Sequence, residues 1–144
     1  MNGKRILLVE DERVVRETLR LLLARDEHTV VEANNGAEAF ALFRKEPFDL
    51  VVTDYEMPFV KGNELAVRIK QIAPHQRILM ITAHGHRRCS DNPVDAVLAK
   101  PFEASYFRTI MARLLSQAGE NDRLKAAREM TQTSARLQTE IITA

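Results

Sequence analysis

The sequence predicts an α/β fold, in which a parallel sheet of five strands is covered by helices on both faces. Five short apolar runs alternate along the chain with stretches whose apolar residues recur at helical spacing. The runs lack the regular polar positions of a strand with one face in water, so they are typical of strands buried on both faces. Several runs stop at an acidic or hydroxyl residue, and the ends of parallel strands form the rim where open α/β sheets bind ligands.

The length and composition of the chain favour one ordinary globular domain. A chain of 144 residues buries roughly 70% of its unfolded surface as one domain and is short for two. The net charge of +1 gives no support for binding to nucleic acid or to a membrane surface. Cys89 is the only cysteine, which excludes an intrachain disulfide and a zinc framework. The apolar run Ile6–Val9 is too short for a signal peptide or a membrane span, so we expect a cytoplasmic protein.

The first half of the chain predicts two strands, each followed by a helix. Ile6–Val9 is a short buried strand that leads into the acidic residues Glu10–Glu12 and then into a helix. Thr29–Val31 is a second strand, and the loop Asn34–Gly36 opens the next helix. The apolar positions of the two helices are Val14, Val15, Leu19, Leu22 and Leu23 in the first and Ala39, Phe40 and Phe43 in the second.

The second half continues the alternation. Strands are predicted at Leu50–Thr53, Ile78–Ile81 and Val94–Ala99. The residues 84–93 between the last two strands have no apolar stripe and contain glycine, asparagine and proline, so the fourth helix is predicted to be shortened or irregular. The third and fifth helices carry the apolar stripes Leu65, Ile69 and Ile72, and Phe107, Ile110, Met111 and Leu114.

The expected result is a doubly wound, five-stranded parallel sheet of the flavodoxin-like (βα)5 type, because right-handed crossovers place helices on both of its faces. In that strand order the first and third strands are neighbours at the topological switch point. Glu10, Asp11 and Asp54 would then converge at one rim. Thr82 and Lys100 would arrive there from the fourth and fifth strands.

The composition changes after Gly119, which suits a helix C-cap, and becomes polar and alanine-rich. We predict a globular domain over residues 1–118 and a helical tail or linker over residues 119–144. The three-four spacing of Ala127, Met130, Ser134, Leu137 and Ile141 also fits a short coiled-coil seam, which the polar Ser134 interrupts, and this alternative stays open.

Five separate pieces of the sequence resemble the receiver domains of bacterial two-component response regulators. The pieces are Ile6–Glu12 (ILLVEDE), Glu32–Ala39 (EANNGAEA), Asp54–Pro58 (DYEMP) with Gly62, Ile81–Ala83 (ITA) and Leu98–Phe102 (LAKPF). They follow one another in the family's order, and each lies at the end of a predicted element.

The resemblance implies a phosphoacceptor and its partners. Asp54 would accept the phosphoryl group, Thr82 would donate its hydroxyl to one phosphoryl oxygen, and Lys100 would pair with another. The resemblance also implies a cis peptide bond between Lys100 and Pro101.

The resemblance further implies a magnesium site. Asp11 would be the main metal-binding carboxylate, supported by Glu10, by Asp54 itself and by the backbone carbonyl of Glu56. Such ligands suit Mg²⁺, which prefers oxygen and keeps several waters.

Two departures from the family pattern concern the part of the domain that would pass the phosphorylation signal on to a partner. The family usually has an aromatic residue three positions before the lysine, and Val97 stands there. The segment between Thr82 and Lys100 is also about one helical turn shorter than the corresponding segment usually is in the family. The usual route from the phosphoryl group to an output surface is therefore expected to be altered.

Each site residue has a simpler interpretation when it is taken singly. Acidic residues at positions 10–12 are favoured at a helix N-terminus. Asp54 could cap a strand, Thr82 is a β-former, and Lys100 could be a surface charge. Taken together, these interpretations fail. Five unrelated structural roles would not explain why one fold brings all of these residues to the same rim.

The predicted function is a phosphorylation-dependent signalling switch rather than an enzyme acting on other substrates. A histidine kinase or phosphotransfer protein would supply the phosphoryl group to Asp54, and self-hydrolysis would remove it. The output is expected from a protein partner or from an effector domain outside this chain, with no nucleic acid or membrane involved.

Three alternatives remain at this point. The chain could be a receiver-like scaffold that acts whatever its phosphorylation, which Val97 and the short fourth helix favour. It could be the N-terminal receiver of a larger hybrid sensor protein, with residues 120–144 as the connecting helix. A phosphohydrolase of the haloacid dehalogenase type fits the sequence less well. That family has a second aspartate two positions after its nucleophile, where this chain has Glu56.

Overall fold

The computed structural model describes residues 3–83 and 93–116, and within these ranges strands alternate with helices. The strands are β1 (Arg5–Val9), β2 (Thr29–Ala33), β3 (Leu50–Asp54), β4 (Ile78–Thr82) and β5 (Ala96–Ala99). The helices are α1 (Arg13–Arg25), α2 (Gly36–Lys45) and α3 (Gly62–Ile72), and residues 104–116 form a further helix after β5. No helix in the described ranges is long and apolar enough to cross a membrane.

Two predictions concern residues that lie outside the described ranges. The expected shortening of the fourth helix falls on residues 84–92, and the expected tail or linker falls on residues 119–144. Both stay predictions.

The strands form one parallel sheet in the order β2-β1-β3-β4-β5. This order confirms the doubly wound, flavodoxin-like arrangement. β1 pairs with β3 so that Val9 lies opposite Thr53, and β3 pairs with β4 so that Asp54 lies opposite Ile81. Because the strand order reverses between β1 and β3, the residues that follow these two strands meet at the carboxyl edge of the sheet.

A separate hydrophobic cluster covers each face of the sheet. Successive residues of a strand point to opposite faces. Ile6 and Leu8 belong to the cluster shared with α1 and the 104–116 helix, whereas Leu7 and Val9 belong to the cluster shared with α2 and α3. Since both faces are buried, the inner strands β1, β3 and β4 are apolar over most of their length, which explains their unbroken apolar runs, whereas the edge strand β2 includes Thr29 and Glu32.

Two apolar residues that helical spacing assigned to buried stripes lie in solvent instead. Val14, in the first turn of α1, is 76% exposed, and Ile72, the last residue of α3, is 56% exposed. Their assignment to the core is wrong: Val14 lies on the exposed face of α1 with Thr18 and Leu21, although its neighbour Val15 packs against the core, and Ile72 lies beyond Ile69, the last buried residue of α3. Strand ends also differ by one or two residues from the prediction: β3 includes Asp54, β4 includes Thr82, and β5 begins at Ala96.

A carboxylate just before β5 ties three elements together. Asp95 accepts hydrogen bonds from Nζ of Lys70 at 3.1 Å, from Nη1 of Arg77 at 2.8 Å and from the backbone N–H of Ile78 at 2.8 Å. The Asp95 side chain is only 14% exposed. These bonds therefore fix the start of β5 against the start of β4 and the end of α3.

Candidate functional site

Three carboxylates meet at the carboxyl edge of the sheet. Glu10 and Asp11 directly follow β1, and Asp54 is the last residue of the neighbouring strand β3. One carboxylate oxygen from each residue lies within 4.8 Å of the other two. The structure thus brings Asp54 to the adjacent pair Glu10 and Asp11, which lie far from it in the sequence, as the strand order predicted.

Glu10 is a buried acid in this cluster, with only 1% of its surface exposed. Its Oε1 accepts the backbone N–H of Glu12 at 3.3 Å, whereas its Oε2 is buried without a hydrogen-bond partner among the described residues. Burial, and after it the neighbouring Asp54 carboxylate, raises the pKa of Glu10 to about 8. The positive charge of Lys100 lowers this pKa only in part, so the environment of Glu10 still opposes its negative charge.

Lys100 provides a positive charge at the cluster. Its Nζ donates to Oδ2 of Asp54 at 3.3 Å and lies 3.7 Å from Oε2 of Glu10. The backbone N–H of Lys100 donates to the carbonyl of Thr82 at 2.9 Å, which holds the residue against the end of β4. The peptide bond between Lys100 and Pro101 is cis, as the resemblance implied.

Thr82 ends β4 at the same edge of the sheet. It is only 1% exposed and lies opposite Ala99 in the pairing of β4 with β5. The hydrogen bond from Lys100 to its carbonyl joins the two residues that were predicted to hold phosphoryl oxygens. That role itself stays a prediction.

Glu56 lies beside the cluster, and its side chain is turned towards solvent. The Glu56 side chain is 46% exposed and forms an ion pair with Lys61, whose Nζ lies 3.9 Å from Oε2 of Glu56. The cluster of three carboxylates does not include it. The prediction for Glu56 concerned its backbone carbonyl, and it stays a prediction.

The loop from β3 to α3 is held close to Asp54. A Cβ atom at Gly62 would lie 2.2 Å from the carbonyl oxygen of Asp54, so only glycine fits there. Met57 and Val60 are buried, whereas Phe59 between them has a φ of 69° and a side chain in solvent, 87% exposed. The buried neighbours thus hold Phe59 in the left-handed region, which is unusual for a bulky residue.

The donor set of the cluster fits a hard divalent cation. Three carboxyl groups face one ammonium group, that of Lys100, and even with Glu10 protonated the carboxylates of Asp11 and Asp54 leave an excess of negative charge among the described side chains. The buried Oε2 of Glu10 has no hydrogen bond among the described residues and only a 3.7 Å ion-pair contact with Lys100, so it can accept a further cation. Oxygen ligands of this kind are those that Mg²⁺ prefers, and Glu10, Asp11 and Asp54 could therefore hold such an ion.

One residue close to the cluster had no signal in the sequence. Arg16, in α1, donates from Nη1 to the backbone carbonyl of Glu10 at 2.9 Å. A contact with a carbonyl leaves no residue pattern, and Arg16 is one of several arginines in its helix. Only the structure could identify it.

Comparisons with known proteins agree with this geometry. A family model described as response regulator receiver domain matches residues 6–113. The response regulator receiver protein CpdR of Brucella abortus (strain 2308) is 43% identical over 103 residues, which are 69% of this chain and 86% of that protein. The response regulator protein FleR of Pseudomonas aeruginosa is 34% identical over 76% of this chain, but the match covers only 24% of FleR.

Solved structures give the same picture. The response regulator protein TrrA from Thermotoga maritima, in complex with Mg²⁺-BeF, has a TM-score of 0.73 and 33% identity, over 77% of this chain and 98% of that one. A CheY-like receiver domain protein from Methanospirillum hungatei has a TM-score of 0.78 at 22% identity, over 83% of this chain and 99% of that one. The second likeness shows the fold alone.

Proposed function

The chain belongs to the response regulator receiver domain family, and on that premise we propose that it is a phosphorylation-dependent signalling switch. One observation carries the proposal. Glu10, Asp11 and Asp54 meet at one rim of the sheet, and the Lys100 ammonium is hydrogen-bonded to Asp54 there.

Asp54 is the proposed phosphoacceptor. A carboxylate oxygen of Asp54 attacks the phosphorus of a phosphohistidine on a partner protein and the P–N bond breaks, while the imidazole leaves with the electron pair and takes up a proton. The product is an acyl phosphate on Asp54. A water later attacks the phosphorus, which restores the carboxylate and releases inorganic phosphate.

Lys100 and Thr82 are proposed to hold the oxygens of the new phosphoryl group. Nζ of Lys100 lies 3.3 Å from Oδ2 of Asp54, so its positive charge is already beside the carboxylate that would be modified. The hydroxyl of Thr82 is a donor at the end of the next strand. Since the bond to phosphorus consumes the charge of Asp54, the net gain is about one negative charge. The signal must therefore act through the placement of the new acceptor oxygens.

Glu10, Asp11 and Asp54, together with the backbone carbonyl of Glu56, are the proposed ligands of Mg²⁺. A divalent cation bound there would neutralise the negative charge that develops between the carboxylate and the phosphoryl group. The complex of the similar protein TrrA with Mg²⁺-BeF supports magnesium as the ion.

A histidine kinase or a histidine phosphotransfer protein is the proposed donor. The output is proposed to pass through a protein partner or through a further domain, because the chain spans only about a quarter of the regulators FleR and PilR. We also propose a receiver unit that ends near residue 118, a linker or tail after it, and action in the cytoplasm.

Intact-protein mass spectrometry after incubation with acetyl phosphate and Mg²⁺ tests the proposal. The wild type should gain the mass of one phosphoryl group, and Asp54→Asn should gain none. Asp26→Asn is the matched control, because Asp26 lies just after α1, and its partly exposed side chain pairs with Arg108 instead. Asp26→Asn should gain the mass of one phosphoryl group, as the wild type does.

The other outcomes would contradict the proposal. A wild type without any mass gain, or an equal gain in Asp54→Asn, would remove Asp54 from the chemistry. Repeated turnover of a small phosphomonoester would identify a phosphohydrolase instead of a switch. Partner binding that Asp54→Asn leaves unchanged would favour the scaffold alternative.

A further inference from the structure

Arg16 makes a contact that joins α1 to the acidic loop. Its Nη1 donates to the backbone carbonyl oxygen of Glu10 at 2.9 Å. The Arg16 side chain is only 17% exposed, so water competes little for this bond. A hydrogen bond from a charged donor is among the stronger kinds in proteins.

The carbonyl that Arg16 binds belongs to the peptide unit that joins Glu10 to Asp11. On the other side of Glu10, its backbone N–H donates to the carbonyl of Ala33 in β2 at 3.1 Å. The main chain of Glu10 is therefore held from both sides. The rotation of the Glu10–Asp11 peptide determines where the side chains of both acids can point, and the bond from Arg16 restrains that rotation.

Glu32 holds Arg16 in turn. Its Oε1 lies 3.5 Å from Nε of Arg16, on the strand β2 beside β1. The planar guanidinium can serve two partners at once, here the Glu32 carboxylate and the Glu10 carbonyl. The same oxygen of Glu32 lies 3.8 Å from Nε of Arg20, so this carboxylate offsets part of the positive charge that Arg16 brings close to the neighbouring cluster.

We propose that Arg16, oriented by Glu32, is a positioning residue that holds the Glu10–Asp11 peptide so that both carboxylates face a divalent cation. The inference rests on the magnesium site of the proposed function. Arg16 itself touches neither the cation nor the phosphoryl group.

Two physical effects of removing Arg16 have opposite signs, which makes the inference testable. If Arg16 acted only through its charge, its removal would strengthen Mg²⁺ binding, because a positive charge near a cation is unfavourable. If Arg16 acts by positioning, its removal weakens Mg²⁺ binding. Loss of a group that orients metal ligands typically costs about 10- to 100-fold in metal affinity.

The experiment is an isothermal titration of the full chain with Mg²⁺ alone, at fixed pH and ionic strength. Arg16→Met keeps much of the apolar stem and removes the charge and the hydrogen bonds, and it should weaken Mg²⁺ binding by about tenfold or more. Arg13→Met is the matched control, because Arg13 is 81% exposed and its ion pair among the described residues is with Glu17. It removes one positive charge close to the same loop and should leave the affinity within about twofold or strengthen it.

Two further variants separate positioning from a general loss of structure. Arg16→Lys keeps a donor for the carbonyl but loses the fork that also engages Glu32, so its Mg²⁺ affinity should lie between those of the wild type and Arg16→Met. Glu32→Gln leaves Arg16 intact and should weaken Mg²⁺ binding in the same direction by a smaller factor. Thermal unfolding in EDTA verifies that each variant is folded, and Arg16→Lys and Glu32→Gln carry the test if Arg16→Met does not fold.

The outcomes distinguish this inference from the proposed function. Mg²⁺ affinity in Arg16→Met that equals or exceeds the wild-type affinity overturns the positioning role, and phosphorylation of the wild type by acetyl phosphate would still stand. A wild type that binds no Mg²⁺ overturns the magnesium site and the role of Arg16 together.

Discussion

The ammonium of Lys100 donates to Oδ2 of Asp54 at 3.3 Å, although the two residues are 46 positions apart. The same ammonium lies 3.7 Å from the buried Oε2 of Glu10. Lys100 is the cation among the described residues that lies within ion-pair distance of these two acids. It therefore stabilises the cluster when no metal ion is bound.

Lys100→Met should destabilise the metal-free protein. Without the ammonium, Asp54 loses a charge-assisted hydrogen bond, and the free energy of unfolding should fall by about 1.5 to 3 kcal/mol. Urea unfolding in EDTA at neutral pH measures this change. Because Mg²⁺ binds the folded state, it should restore part of the loss, and equal stability of the variant and the wild type in EDTA would contradict the role of Lys100.

Lys100 should also be needed for the response to phosphorylation rather than for phosphorylation itself. Lys100→Ala should still take up a phosphoryl group from acetyl phosphate, with a smaller change in protease sensitivity on phosphorylation than the wild type shows. Complete loss of phosphate incorporation would show that its role is different.

Asp95→Asn should cost considerable stability. The substitution leaves Lys70 and Arg77 without their shielded carboxylate, and each of these side chains is only 20% exposed. We expect a loss of about 2 to 4 kcal/mol in the free energy of unfolding. Asp26→Asn is the matched control, because its partner Arg108 is well exposed, and its loss should be much smaller. Similar losses in the two variants would contradict the importance of the Asp95 contacts.

Phe59→Gly should stabilise the fold. A bulky residue at a φ of 69° is strained, and glycine adopts this conformation freely. Relief of the strain should raise the free energy of unfolding by about 1 kcal/mol. Phe59→Ala keeps the strain and removes the same exposed ring, so its free energy of unfolding should rise by less than that of Phe59→Gly. If the alanine variant is as stable as the glycine variant, the strain at residue 59 is not the cause.

His28 should make the protein less stable in mild acid. Desolvation lowers the pKa of His28 below its ordinary value of 6.5, and its buried Nδ1 has no hydrogen-bond partner among the described residues. The unfolded chain therefore binds a proton more readily than the folded chain as the pH falls through 6.5. Stability is complete above that pH and declines as the pH falls towards the folded pKa.

His28→Gln tests this pH dependence. The variant should show a flatter change in stability between about pH 7 and pH 5 than the wild type, measured by urea unfolding at several pH values. An identical slope in both proteins would show that His28 does not cause the decline.

Much of the fold could be predicted because the local and global patterns agree. The unbroken apolar run Leu50–Thr53 is what a strand buried on both faces needs, and the sheet order confirms that reading. Given that order, the meeting of Glu10, Asp11 and Asp54 follows from the ends of adjacent parallel strands.

The remaining features depend on contacts that leave no pattern in the sequence. Val14 has helical spacing, yet it lies on the exposed face of α1 with Thr18 and Leu21. The bond from Arg16 to the Glu10 carbonyl and the positive φ of Phe59 are set by tertiary packing rather than by residue type. Periodicity cannot distinguish such positions from ordinary ones.

The central claim is that Asp54 carries the phosphoryl group, and peptide mapping tests it most directly. The protein would be treated with acetyl phosphate and Mg²⁺ and then with borohydride, which reduces an acyl phosphate to an alcohol and leaves a free carboxylate unchanged. We predict that the peptide containing residues 50–61 is reduced at Asp54, and only after phosphorylation. Reduction at Asp11 or Glu10 instead, or at no residue, would contradict the account.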